Sequence, residues 1–216
     1  MNYEQILLEQ AEAFALHLGE RIDLMPARHD DPRTQATTMA CQLSIEHAYA
    51  LRILFATGAQ NAASAMLQLQ YDALVKAAWC AYVATDAELE AMLDPARSFS
   101  LPLPGRMVHG LKAQLAGEPA LAGLVKPLLA MNDDFTKALG MLEQSGVHPL
   151  QQTGLGFPVD LFDTIVRSSS GLMFLGFRLL ARQGPDGEFI RSMDASHAGF
   201  EDALPMACFR DPALVG

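Results

Sequence analysis

Apolar residues recur every three or four positions over long stretches of this chain, which is the spacing of one face of an α-helix. The clearest case is a predicted helix from Gln60 to about Thr85. Its apolar positions advance at helical spacing through Leu67, Tyr71, Leu74, Val75, Ala78, Trp79 and Tyr82. On another stripe of this segment Asp72 and Lys76 are four residues apart, so they are predicted to form an ion pair on the helix surface.

Turns rich in proline, glycine and aspartate separate the other predicted helices. These helices run over Tyr3–Leu24, Thr38–Phe55, Met107–Leu115, Pro119–Met131, Asp133–Gln144 and Pro158 to about Gln183. The segments Ala27–Thr38, Leu93–Gly105 and Gly146–Gly156 are predicted to be connections. In the last helix the small residues Ser168–Gly171 and Gly176 indicate that a neighbouring helix approaches closely.

The pattern predicts an all-α fold: an antiparallel four- to five-helix bundle with short accessory helices. Half of the residues are hydrophobic and 19% are charged, which is ample material for one core. Residues 1–183 are predicted to form a single bundle domain. Residues 184–216 are predicted to form an extended tail with one short helical turn, which packs on the bundle or on a partner because Phe189, Phe200 and Phe209 are too apolar for a free tail.

The charge balance limits the partners that we expect. The formal net charge is −10, from 25 acidic against 15 basic side chains, and the pI is near 4.9. Such a field repels a phosphate backbone unless the bases gather on one face. The closest grouping, Arg21, Arg28 and Arg33, is interrupted by aspartates. Nucleic acid is therefore not the expected partner, although a local basic cleft would still allow it.

The cysteines and the apolar stretches argue against metals and membranes. Cys41, Cys80 and Cys208 lie far apart and form no Cys-x-x-Cys pair, so neither a disulfide framework nor a zinc site is predicted. The longest apolar stretch, Gly171–Leu180, is too short for a bilayer. The N-terminal residues are acidic where a signal peptide would be basic. We therefore expect a cytoplasmic protein without cofactor, metal or membrane contact.

A series of short motifs resembles uncharacterised bacterial helical families related to the HEPN superfamily, the higher-eukaryote and prokaryote nucleotide-binding domains. The motifs are Ser44-Ile-Glu-His-Ala through Leu51-Arg52, Gly58-Ala-Gln-Asn-Ala-Ala-Ser-Ala, Gln70-Tyr-Asp-Ala-Leu and Ala78-Trp79. Those families then carry a Ser-X-X-His-Gly-type loop, and Ser145-Gly-Val-His-Pro stands in its place here. The resemblance covers roughly residues 40 to 183. It implies a four- or five-helix bundle, often dimeric, and many relatives are ribonuclease toxins or phage-defence proteins.

Three residues are candidates for catalysis. His148 stands in a Gly-Val-His-Pro loop, and histidine titrates near neutral pH, so it could act as a general acid or base; the alternative is a surface or capping histidine. The ribonuclease motif of the resembling families is an arginine followed by four to six residues and a histidine, which Arg191 and His197 match. Chance alone produces about one such match, and Ser192 replaces the usual Asn or Asp. The match therefore does not establish a ribonuclease site.

Three charged residues are candidates for ligand binding or ion pairing. Arg52 and Arg167 lie in apolar helical sequence, and a buried guanidinium requires a carboxylate. Glu46, Asp72 or Asp160 is predicted to supply it. The alternatives are an anionic ligand at the arginines, or arginine side chains that extend to solvent.

Three functions are consistent with these observations. The favoured one is a non-enzymatic helical bundle that associates with itself, as a dimer, or with a protein partner, because the sequence shows no catalytic constellation. The second is a divergent HEPN-type ribonuclease that uses His148 or His197 with an arginine. The third is a small-molecule binder with a pocket between helices, anchored by Arg52 or Arg167. The residues predicted to line that pocket are Trp79, Tyr82, Phe162 and Phe174.

Overall fold

The computed structural model describes residues 2–25, 31–118, 121–131 and 157–205. In these ranges the chain is helical and contains no strand, so the all-α prediction is confirmed. The helices are α1 (Tyr3–Ile22), α2 (Pro32–Ala56), α3 (Gln60–Tyr82), α4 (Asp86–Leu93), α5 (Pro104–Gly117), α6 (Val159–Ala181) and α7 (Gly187–Asp194), with a 3-10 helix at Glu201–Ala203. Residues 122–131 are also helical, and the predicted helix at 133–144 lies outside the described residues.

Two of the helix boundaries that differ from the prediction do so because local capping outweighs the apolar pattern. α2 begins at Pro32, six residues earlier than predicted, since the Asp31 side chain accepts hydrogen bonds from the next backbone N–H groups and proline occupies the first turn. α3 ends at Tyr82, because Thr85 forms a capping box with Glu88 and starts α4. The apolar pattern, which continues to about Thr85, does not predict α4.

α2 and α3 form an antiparallel hairpin, which is the most extensive helix pair of the bundle. Gly58 makes the turn between them with a φ of 82°, a left-handed conformation that favours glycine. At the other end Arg33 donates from Nη1 to the Cys80 carbonyl at 2.8 Å and from Nη2 to the Ala84 carbonyl at 2.9 Å. A guanidinium from the start of α2 thus satisfies the carbonyls that the end of α3 leaves free.

α6 packs across this hairpin and forms the centre of the core. Phe162 of α6 stacks edge-on with Phe55 of α2, with ring centroids 4.8 Å apart. Farther along, Gln70 of α3 and Ser169 of α6 exchange hydrogen bonds: the amide of Gln70 donates to the Ser169 carbonyl at 2.8 Å, and the Ser169 hydroxyl donates to Gln70 Oε1 at 2.7 Å. Ser44 of α2 donates to the Gln70 carbonyl at 2.9 Å, so one buried polar group joins three helices.

α1 lies along α6 and runs parallel to it. Tyr3 near the start of α1 donates to Asp163 near the start of α6. The Phe14 and Phe174 rings are 5.9 Å apart in the middle of the two helices. Because these contacts advance in the same direction along both helices, α1 and α6 share one orientation.

The segment after α6 is folded against the bundle up to residue 205, and it contains the eight-residue helix α7 where one short helical turn was predicted. Asp186 caps α7 by accepting from the backbone N–H groups of Glu188 and Phe189. Beyond α7, the Phe200 ring packs 5.0 Å from the Phe14 ring of α1. The sequence Gly184-Pro-Asp-Gly follows the end of α6, and its aspartate also begins the next helix. Residues 206–216 lie outside the described residues.

Candidate functional site

Arg52 is buried on α2 and forms an ion pair with α1. Its Nε donates to Glu12 Oε2 at 2.8 Å, and its guanidinium lies 4.5 Å from the centre of the Tyr49 ring. The side chain is 7% exposed, and Nη2 has no hydrogen-bond partner among the described residues. The Tyr49 ring face compensates part of this buried charge. The predicted partners of Arg52 (Glu46, Asp72 or Asp160) were therefore wrong, because its carboxylate comes from Glu12 of α1.

Asp72 lies on the solvent side of α3, where it accepts a hydrogen bond from Gln68 Nε2 at 2.9 Å. The predicted pair with Lys76 is not among the ion pairs of the described residues. Gln68, one turn before Asp72, thus forms the contact that was predicted for Lys76, one turn after it. Asp72 approaches neither Arg52 nor Arg167 within ion-pair distance.

Arg167 lines a groove of about 1000 Å³ between the start of α1, the start of α6 and the 3-10 helix. Its Nε donates to both oxygens of Asp163 at 2.9 Å, and its Nη1 donates to the Asp202 carbonyl. Partial burial works against the charged form, but hydrogen bonds to Tyr3 and Asp163 raise the pKa of Arg167 above its ordinary value. The carboxylate that pairs with Arg167 is one helical turn away, not the predicted Asp160.

The Arg167 groove is acidic. Asp160, Asp163, Glu201 and Asp202 line it, and Arg167 is the one basic side chain among its lining residues. Since the guanidinium is already held by its own chain, an anionic ligand would meet mainly negative charge there. The geometry therefore does not support an anion site at Arg167.

The candidate catalytic residues do not form a cleft in the described part of the chain. Arg191 is exposed on α7. His197 is half-buried, with Nδ1 2.9 Å from the Asp194 carbonyl oxygen and its ring 5.7 Å from the Phe174 ring. His197 thus packs the C-terminal end of α7 against α6. His148 lies outside the described residues.

A buried ion-pair cluster, which the sequence analysis did not predict, joins α6 to α7. Arg178 Nε donates to Asp194 Oδ1 at 2.7 Å, and its Nη1 donates to the Gly123 carbonyl at 2.7 Å. Arg182 donates from Nη2 to Asp194 Oδ2 at 2.9 Å. Burial alone would raise the pKa of Asp194, but the hydrogen bonds and charges of Arg182 and Arg178 hold it below its ordinary value.

The aromatic residues predicted to surround one pocket are divided between the core and a second groove. Phe162 and Phe174 are buried in contact with other rings of the core. Trp79 instead lines a groove of about 530 Å³, which we call the Trp79 groove. Its walls include Trp79, Val83, Glu88, Ser100, Leu103 and Arg106. The capping box of α4 and the proline at the start of α5 were the sequence signals that could have located it.

Exposed apolar side chains follow one face of α2. Met39, Leu43 and Ile53 are 56%, 41% and 63% exposed, respectively. At 100° per residue they fall within an arc of about 80°, and Glu46 and Ala50 lie between them on the same arc. We call this surface, defined by these five residues, the α2 face.

Neither a metal cluster nor a membrane span is found in the part of the chain that the structure describes. No group of three or more histidine, cysteine, aspartate or glutamate side chains in these ranges is arranged to hold a metal ion. Likewise, none of the described helices combines the length and the apolar character that crossing a bilayer requires.

In the part of the chain that the structure describes, these features define an all-α bundle with a groove at Arg167, the Trp79 groove and one partly apolar helix face. Residues 41–206 match DUF6988, a family of unknown function. The match covers most of the chain, which therefore belongs to this family. Comparison with curated proteins and with solved structures finds no match.

Proposed function

We propose that this chain acts by association and not by catalysis, and that it associates with a second copy of itself through the α2 face. The observation that carries the proposal is the alignment of Met39, Leu43 and Ile53, all exposed, on one face of a helix whose other face is in the core. Single exposed apolar residues are ordinary, but an aligned set places several apolar side chains along one side of the helix. A second helix laid along this side would bury all three.

The sequence of the α2 face fits a contact between two identical helices. In an isologous dimer the same surface contributes from both copies. Ala50 is the small residue on this arc, and small residues let two helices approach. Glu46, in the middle of the arc, would lie near its own copy across the contact. The resulting repulsion would make the dimer weak and dependent on salt.

Measuring the mass in solution over a range of protein concentrations tests the proposal. We expect the mass to rise from one chain towards two, and Leu43→Gln or Ile53→Gln to shift this rise to higher concentration. Leu69→Gln is the matched control, because Leu69 is a comparably exposed leucine on α3, outside the α2 face. Glu46→Gln should strengthen the association by removing the repulsion. A mass of one chain at high micromolar concentration would contradict self-association.

The HEPN relationship and the divergent ribonuclease that it implies stay predictions. The exposed position of Arg191 and the packing of His197 against Phe174 favour association over catalysis. We therefore expect induction of the protein in cells to leave growth and total RNA unchanged. Cleaved RNA that becomes intact with His148→Ala or His197→Ala would instead support the ribonuclease.

A further inference from the structure

The Trp79 groove has the dimensions of a small-molecule site. It lies where the end of α3, the capped start of α4 and the segment 100–106 meet. Its volume of about 530 Å³ is within the roughly 300–1,000 Å³ typical of ligand pockets. The fold leaves this volume open although neighbouring helices pack closely: a Cβ on Gly110 of α5 would lie 2.8 Å from the Val83 side chain.

Trp79 gives the groove a buried aromatic wall. The residue is 4% exposed, and it lines the groove at the end of α3. Ligand pockets are lined mainly by apolar and aromatic side chains, with a few polar groups that orient the ligand. The Trp79 ring is therefore a surface against which an apolar group of a bound molecule can pack.

Two opposite charges face the same groove without forming an ion pair. Thr85 donates from its backbone N–H and its hydroxyl to Glu88 Oε2, both at 2.8 Å, which fixes the carboxylate and leaves Oε1 available. These hydrogen bonds lower the pKa of Glu88, and the charge of Arg106 adds to the effect. Within the described part of the chain no ion pair joins Glu88 to Arg106. Each charge is therefore available to a ligand.

We propose that the Trp79 groove binds a small zwitterion of the amino-acid class. Its ammonium group pairs with Glu88, its carboxylate pairs with Arg106, and its apolar side chain lies against Trp79. A guanidinium and a carboxylate form a strong, often bidentate pair. A purely anionic ligand would be repelled by Glu88 and a purely cationic one by Arg106, whereas a molecule with both charges matches both residues.

The position of Trp79 allows a direct binding measurement, because the chain contains one tryptophan. The probes are phenylalanine and two analogues that each lack one charge: phenethylamine, without the carboxylate, and 3-phenylpropanoate, without the amine. We expect phenylalanine to cause a saturable change in tryptophan emission at lower concentration than either analogue. Absence of a saturable change at about 10 mM of each probe, a range that reveals even weak complexes, would overturn the proposal.

Substitutions at the two charges separate the proposed contacts. Arg106→Gln should weaken the binding of phenylalanine and 3-phenylpropanoate by about tenfold, since one charged hydrogen-bonded pair is lost. It should strengthen the binding of phenethylamine, because Arg106 repels a cation. Glu88→Gln, which keeps a residue suited to the capping box, should weaken the binding of phenylalanine and phenethylamine. It should strengthen the binding of 3-phenylpropanoate, because Glu88 repels an anion. Lys112→Gln on α5 and Glu90→Gln on α4 are the matched controls, because both residues are exposed and neither lines the groove. Equal effects of controls and test variants would contradict the assignment.

Discussion

The guanidinium of Arg178 donates to the carboxylate of Asp194 at 2.7 Å from a position that is 2% exposed. The same guanidinium donates to the Gly123 carbonyl, so one side chain of α6 holds both α7 and the helical segment 122–131. A buried charge is costly unless it is paired and hydrogen-bonded. The segment after α6 therefore supplies the carboxylate that pairs with the buried guanidinium of Arg178.

Removing the carboxylate of Asp194 should destabilise the whole bundle. We expect Asp194→Ala to lower the free energy of unfolding by about 3–5 kcal/mol, because the buried Arg178 loses its counter-charge. Urea unfolding measures this loss. Glu188→Gln is the control, since Glu188 is exposed on the same helix, and its effect should stay within about 0.5 kcal/mol. Equal, small effects of both substitutions would show that the ion pair between Arg178 and Asp194 contributes little to stability.

The free energy of unfolding should fall at acidic pH because the carboxylate of Asp194 becomes protonated. The folded pKa of Asp194 lies below its ordinary value, so its contribution is complete above the unfolded pKa of about 3.9 and disappears as the pH falls through the folded pKa. Urea unfolding at a series of pH values measures this dependence. Asp194→Asn should flatten the curve below about pH 4, while Glu188→Gln should keep its slope. An unchanged slope in Asp194→Asn would assign the acid sensitivity to other carboxylates.

The reciprocal hydrogen bonds of Gln70 and Ser169 should give a measurable coupling. Ser169→Ala leaves Gln70 Oε1 buried without its donor, which costs about 1–3 kcal/mol. In a double-mutant cycle with Gln70→Ala, we expect a coupling energy of about 0.5–3 kcal/mol from chemical unfolding. Ser64→Ala, which removes a local bond to the Gln60 carbonyl on α3, should show no coupling with Gln70→Ala.

Two glycines of α6 should respond in opposite ways to alanine. A Cβ on Gly171 would lie 2.5 Å from Met131 Cε and 2.8 Å from Pro205 Cγ, so Gly171→Ala should cost about 1–3 kcal/mol. A Cβ on Gly176 would lie 3.7 Å from Leu74 Cδ1, an ordinary contact. Because alanine is the better helix former, Gly176→Ala should stabilise the protein by about 0.5–1 kcal/mol. Thermal unfolding of the two variants checks the contrast.

The helices were predictable where periodicity and prolines agree. Gln60 begins α3 as predicted, and Pro158 immediately precedes α6. The start of α2 was missed because Asp31 and Pro32 were interpreted as a turn, although the same residue types also cap a helix. Gly171 meets Met131 and Pro205 at close range, as its small size indicated, but periodicity alone could not name those neighbours.

The ion pairs were not predictable, because helical spacing identifies neighbours on one helix and not across the bundle. Arg52 pairs with Glu12, 40 residues earlier in the chain. Arg178 lies in the most apolar part of α6, and its partner Asp194 lies 16 residues later, where only one short helical turn was predicted. The Trp79 groove likewise combines residues of α3, α4 and α5 that only the fold brings together.

The parallel pairing of α1 with α6 sets an order for folding during synthesis. Tyr3 and Asp163 are 160 residues apart, so α1 leaves the ribosome roughly 10 to 30 s before the helix that it packs against. The α2–α3 hairpin, whose partners are near in sequence, can form in that interval. During this interval Leu7, Phe14 and Leu18 of α1 are not yet covered by α6, the main helix that buries α1 in the folded protein. A nascent chain that stalls before α6 would therefore expose an apolar surface that is prone to aggregation and would need a chaperone.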